Sequence, residues 1–263
     1  MRIRMTVILL MILVGCGACT TRTPFQWDQL AQNHNTASLK LIELSRERRG
    51  AFTVVTYRVE AVGFPVGKPL ELWMKNIIRS EEAKYGTVVV DEQGTVRWQS
   101  TDTGAPVGLV GLIAKGVHAA TDSSRGKEVI IAHGQDLIAQ RHDWALFEKE
   151  SGQVAVAKVI PFSLVAEGPG GCRLSVELWS PNGMFFQITA EGFQANEDLT
   201  FTSQSDEEVI RKGMKYPSNG SLLMGYLPGV VGKNSGEATI TFGGTRCTVS
   251  SKVNWGQAAL VVQ

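Results

Sequence analysis

"AVGFPVGKPLEL", residues 61–72, has an echo at residues 190–201, "AEGFQANEDLTF". The two phrases align without a gap. Ala61, Gly63, Phe64 and Leu70 meet the same residue types at Ala190, Gly192, Phe193 and Leu199. The replacement of Gly67 by Asn196 is as informative as the identities, because Gly and Asn tolerate the left-handed backbone region best. Pro65 presets φ for the second residue of a tight turn, with Gly67 two positions later. Alternating strand-like runs flank both phrases. The expectation is one antiparallel hairpin written twice, in two related units. Two unrelated turns are the alternative.

The period of two extends through most of the chain. In "TVVTYRVEAVGF", Val55, Tyr57, Val59 and Ala61 alternate with Thr56, Arg58 and Glu60. In "PLELWMK", Leu70, Leu72 and Met74 alternate with Glu71, Trp73 and Lys75. About a dozen such runs, punctuated by turn residues such as "DEQG" (91–94), "SPNG" (180–183) and Gly243-Gly244, argue for an all-β fold. Strands with one apolar and one polar face pack as sandwiches. "EGPGG" (167–171) reads as a break, so the expected organisation is 1–15 signal peptide, 16–38 tether, 39–166 first sandwich and 167–263 second sandwich. Thr101 to Lys127, with five Gly and no clear period, is the least legible stretch and a candidate functional loop.

The start of the chain gives an address. Arg2 and Arg4 precede ten apolar or near-apolar residues, Met5 to Val14. Ten residues at about 1.5 Å each cannot cross a hydrocarbon core of about 30 Å, so the stretch reads as a secretory signal. Leu13-Val14-Gly15-Cys16 resembles the bacterial lipobox, which implies a lipid on Cys16. Gly17, where an Asp would signal inner-membrane retention, implies by the same resemblance an outer-membrane destination in a Gram-negative cell. A cleaved signal without lipid is the alternative. Without residues 1–15 the balance is 24 basic to 25 acidic residues, and "RERR" (46–49) is the densest basic run. This charge pattern gives no nucleic-acid footprint; the expected contact with a membrane is through acyl chains.

Cys172 falls in register with Leu174, Val176 and Leu178, and Cys247 with Val249 and Val253. Both should point into the second core from its first and last strands. An exported chain meets an oxidising compartment, so a Cys172–Cys247 disulfide is expected; two buried thiols are the alternative. Cys19 is left on the tether.

The repeated phrase and the spacing of "GEATITFGGTRCTVSSKVNWG" (236–256) resemble bacterial immunoglobulin-like modules, and the mature chain resembles lipoproteins that carry them. The resemblance implies two tandem immunoglobulin-like β-sandwiches. The Cys–Trp–Cys core of antibody domains is missing, so their disulfide is not carried over.

Linear catalytic motifs are missing: no G-x-S-x-G, Walker loop, G-x-G-x-x-G or H-E-x-x-H occurs. Catalytic, cofactor and metal residues are therefore expected as none. In "AHGQDLIAQRHD", His133 and His142 lie near Asp136 and Asp143, and read as polar loop residues in preference to metal ligands. Acid pairs at 91–92 and 205–208 read as ordinary turns in preference to calcium loops. Trp73 and Trp179 fall on strand faces opposite the expected core and form a candidate contact surface. Each is either covered by a loop, set at the junction of the two units, or offered to a partner or glycan. The functional expectation is a non-enzymatic, membrane-anchored envelope lipoprotein with a binding or scaffolding role. The alternative is a carbohydrate-binding module, or a β-sandwich hydrolase whose mark would be a His–acid pair converging in a pocket.

Overall fold

A computed structural model describes residues 37–78, 81–100, 119–121, 126–134 and 136–261. The signal, Cys16, Cys19, nearly all of the tether and the whole of 101–118 lie outside them. The strands of the described chain pair antiparallel, and its one helical piece is a 3-10 turn at Gln257–Leu260. Nine strands lead up to Val159: β1 (Ser38–Arg49), β2 (Phe52–Val62), β3 (Leu70–Asn76), β4 (Glu81–Val90), β5 (Val96–Ser100), β6 (Ala119–Thr121), β7 (Ile130–Gly134), β8 (His142–Phe147) and β9 (Val154–Val159). They form two sheets, ordered β1-β2-β7-β6 and β5-β4-β3-β8-β9. Eight follow: β10 (Leu164–Glu167), β11 (Arg173–Leu178), β12 (Phe186–Glu191), β13 (Asp198–Ser205), β14 (Glu208–Lys215), β15 (Ser221–Tyr226), β16 (Ser235–Gly243) and β17 (Thr248–Gly256). Their sheets are ordered β10-β11-β12-β15 and β14-β13-β16-β17.

Each pair of sheets shares a core. Val59 and Ile131 of one sheet bury with Leu70, Leu72, Trp144 and Leu146 of the other. Leu174 and Ile188 bury with Phe201, Ile240, Phe242 and Trp255. Alternation is the cause: in β17 every second residue from Val249 to Trp255 is buried and the residues between are exposed. The indole of Trp255 can be buried because Ser205 Oγ accepts its N–H at 3.1 Å.

The two sheet pairs also share connectivity. β1, β2, β3, β4, β7, β8 and β9 pair among themselves as β11, β12, β13, β14, β15, β16 and β17 do. The quoted phrase sits at the same place in both, between β2 and β3 and between β12 and β13. Gly63 and Gly67 have φ of 87° and 72°; Gly192 and Asn196 have 78° and 62°. Lys68 N–H donates to Pro65 O at 3.5 Å, as Glu197 N–H does to Gln194 O at 3.1 Å. Gly67 N–H donates to Val90 O at 2.9 Å and Asn196 N–H to Tyr216 O at 3.0 Å. Phe64 and Phe193 are both buried.

Two details of the sequence reading are corrected. The phrase is not a hairpin: β2 and β3 lie in different sheets, as do β12 and β13. Alternation marks a strand's faces but not its neighbour, and here the turn carries the chain across the core. Pro65 is also the turn's first residue rather than its second, which puts positive φ at the third position, the requirement of a type II turn.

"GPGG" forms the turn of the β10–β11 hairpin, in which Glu167 faces Arg173. The change of sheet pair falls earlier, between Val159 and Leu164. Cys172 and Cys247 form the expected disulfide, with Cα atoms 6.1 Å apart. A Cβ on Gly168 would lie 2.8 and 2.9 Å from the two sulfurs, so the hairpin turn packs directly on the bond. Within the stretch 101–127, β6 is a short strand added to the first sheet by pairing with β7.

Candidate functional site

The segment Asp136–Gln140 leaves the first core and enters the second. Leu137 and Ala139 are buried in the cluster built from β11–β17. Ala139 O accepts the Leu178 N–H at 2.9 Å, and Ala139 N–H reaches Phe162 O at 2.8 Å. Gln140 bridges to Leu178 as an isolated parallel pair. The Gln140 side chain folds back, its Oε1 accepting the Leu137 N–H at 2.9 Å. Ala139 is left-handed, φ 62°, a strained region for any residue with a Cβ. The described residues from 37 onward form one compact unit with two cores.

At the root of this segment lies a cluster of polar side chains within the first sandwich. β7 brings His133 inward beside Ile131, and β8 brings His142 and Trp144 inward beside Leu146. Because β7 and β8 belong to opposite sheets, the rings meet between them. His133 and His142 have centroids 4.8 Å apart. His133 Nδ1 lies 3.1 Å from Asp136 Oδ2, and His142 Nε2 lies 3.4 Å from Asp136 Oδ1. Trp144 Nε1–H donates to His133 Nε2 at 3.3 Å, and Tyr57 stands edge-on to His133 at 5.7 Å. His133 and His142 have no exposed surface and Asp136 has 1%.

The indole fixes the protonation of His133. It can only donate, so Nε2 must accept, which leaves the ring proton on Nδ1, facing Asp136. Both nitrogens of a neutral ring are then used. Burial, against the opposing bond to Asp136 and with a smaller push from nearby His142, brings the His133 pKa down to about 4. Burial also raises the Tyr57 hydroxyl well above its ordinary range.

Two chemistries can be weighed against this geometry. One ligand atom from each of His133, Asp136 and His142 lies within 4.8 Å of the others, close enough for a metal ion. Coordination through His133 Nδ1 would move the ring proton to Nε2, where it would confront the Trp144 N–H. The hydrogen bond from Trp144 therefore suits a proton on His133 Nδ1 better than a metal at that atom. For hydrolysis, a His–acid pair with a displaced pKa does converge. It does so inside a packed core, where a catalytic pair needs a substrate within hydrogen-bond reach.

The sequence reading placed His133 and His142 in a polar loop; they are core residues. The available signal was their setting, at the end of "EVIIAH" and the start of "HDWALF". A second signal was missed. The tripeptide Glu-Leu-Trp occurs at 71–73 and 177–179. Trp73 Nε1–H donates to Glu71 Oε2 at 3.0 Å, and Trp179 Nε1–H to Glu177 Oε2 at 3.3 Å. The donor each indole would offer a partner is thus engaged at home. Glu71 is further held by Lys84 at 3.1 Å and Lys149 at 2.8 Å. Burial pushes its pKa up, but the bonds from Lys149, Trp73 and Lys84 outweigh that and leave it lowered. Glu177 meets Lys158 of β9, and Arg141 at 3.8 Å, so it ties β11 to the first sheet pair. Arg141 in turn grips Asp143 with two bonds of 2.6 and 2.9 Å. Trp73 is half-buried on β3, while Trp179, just beyond β11, keeps 38% of its surface. The structure does not bring the two into one strand or sheet.

The fold and junction define a class: an antiparallel all-β protein with two sandwich cores locked by a buried segment. Comparison with protein-family models and with curated proteins finds no match to this chain. Among the described residues, no helix is long and apolar enough to cross a membrane.

Proposed function

We propose that the chain is a non-enzymatic envelope lipoprotein, held by a lipid on Cys16, whose two tandem immunoglobulin-like modules, meeting between Val159 and Leu164, bind or space a partner outside the membrane. The interlocked junction is the observation that carries the reading. A scaffold must fix the distance between its ends, and a linkage with Leu137 and Ala139 buried in the neighbouring core resists bending. The lipobox-like "LVGC" and the polar tether supply the attachment. Gly17, in place of the Asp that marks inner-membrane retention, supports an outer-membrane destination in a Gram-negative cell.

The test is metabolic labelling with a palmitate analogue, comparing wild type with Cys16→Ser, followed by membrane fractionation. Label and membrane association both vanish in the variant if the reading holds; equal labelling of the two chains rejects it. A second reading, glycan binding, is supported by the exposed ring of Trp179. It requires that the full-length chain be retained on envelope polysaccharide and that Trp179→Ala abolish retention.

A further inference from the structure

The cluster is joined to the junction by only a few bonds. Asp136 begins the segment that His133 and His142 hold; Leu137 and Ala139, immediately after it, are the residues inserted into the second core. The inserted end is strained at Ala139 and is stitched to β11 by the Leu178 N–H. We propose that His133, Asp136 and His142 form an acid-sensitive latch: the closed form keeps a second proton off His133 Nε2, where the buried Trp144 N–H already donates, so acid favours the open form, in which Asp136–Gln140 is released and the second sandwich is uncoupled from the first.

The proton has one place to go. Nδ1 already carries one, so a second lands on Nε2, against a donor that cannot become an acceptor. The polar groups facing the ring come from several elements. The β7–β8 segment supplies Asp136, a carboxylate in direct contact, which favours the charged ring. β8 supplies His142, which disfavours it, and Trp144. β2 supplies Tyr57, and beyond it β1 places Glu43 and Arg46 in range of the Tyr57 hydroxyl. Burial and His142 outweigh Asp136, so the closed form takes the proton only near pH 4. Once the segment is released and the ring is wet, it titrates near its ordinary value of about 6.5. The open form therefore binds the proton first as pH falls. The latch is fully closed above about pH 6.5 and loosens between there and about 4. Linkage between those two values makes opening roughly 60-fold more favourable at about pH 4.5 than at about pH 7.

Amide hydrogen exchange on the full-length chain, corrected at each pH for the intrinsic rate, tests this. The Leu178 amide, whose acceptor is Ala139 O, should lose about 60-fold in protection between about pH 7 and about pH 4.5, while the amides between β13 and β16 keep theirs. Flat protection at Leu178, or loss there together with β13–β16, overturns the latch. In His133→Phe the dependence should disappear. Should that variant fail to fold, Trp144→Phe removes the opposing N–H while keeping an aromatic, if smaller, ring in the core; the lower edge of the window should rise by on the order of one pH unit and the drop at Leu178 shrink to about 20-fold. An undiminished drop in Trp144→Phe also overturns the proposal.

Discussion

Replacing both cysteines of the disulfide by alanine should weaken the second core and spare the first. The bond closes a loop with a sequence separation of 75. The chain-entropy relation for that length gives about 4.5 kcal/mol at 25 °C, an upper bound because denatured chains keep some compactness. Measured losses for native disulfides point to about 2–4 kcal/mol. Two features keep this one in the upper part of that range. Both sulfurs are buried, so alanine leaves a gap at the bond. Gly168 and Gly170 also lie against it, so the β10–β11 turn loses its floor. The assay is urea unfolding of Cys172→Ala/Cys247→Ala, read by hydrogen-exchange mass spectrometry at a series of urea concentrations. Peptides from β13 to β17 should lose protection at lower urea than in wild type, and peptides from β2 to β4 should shift much less. Reduced wild type should match the double variant. A loss below about 1 kcal/mol, or an equal shift in both regions, would refute the argument that this bond serves one core.

Three other substitutions probe the repeat and the junction. Gly192→Ala should cost more than about 2 kcal/mol, because its Cβ would lie 2.4 Å from Gly171 O at a φ of 78°; a thermal melt indistinguishable from wild type would contradict this. Asn196→Gly, which copies Gly67 into the second phrase, should be neutral or stabilise by up to about 1 kcal/mol, whereas Asn196→Val should destabilise, both read by urea midpoint. Leu137→Ala should cost about 2–4 kcal/mol and expose the Leu178 amide at neutral pH, seen as faster exchange there.

Local pattern revealed much of this molecule. Strand faces follow from alternation, so the burial of Leu70, Leu199 and the cysteines could be read directly. Positive φ at Gly67 and Asn196 followed from a substitution that only a left-handed position explains. What pattern could not supply was pairing. Whether the strand after "FPVG" lies beside its predecessor or across the core depends on contacts far along the chain, such as β3 with β8. The histidines were missed for the same reason. A His–Asp–Trp cluster is assembled from strands of opposite sheets, and nothing within "AHGQDLIAQRHD" says that Trp144 will point an indole at His133. The paired Glu-Leu-Trp was visible in the sequence, but its lysine and arginine partners come from β4, β9 and the stretches beside β8.

The link from Val159 to Leu164 has mechanical meaning. Only four residues separate the last strand of one sheet pair from the first of the next, a reach of about 14 Å when taut. With a turn at residues 161–162 and Pro161 buried, the link is seated against the fold instead of hanging free. A pull on one sheet pair therefore reaches the other through parallel ties: this link, the buried Leu137 and Ala139, and the pairing of Glu177 with Lys158. Lengthening the link with glycines would slacken one tie and leave the joint stiff.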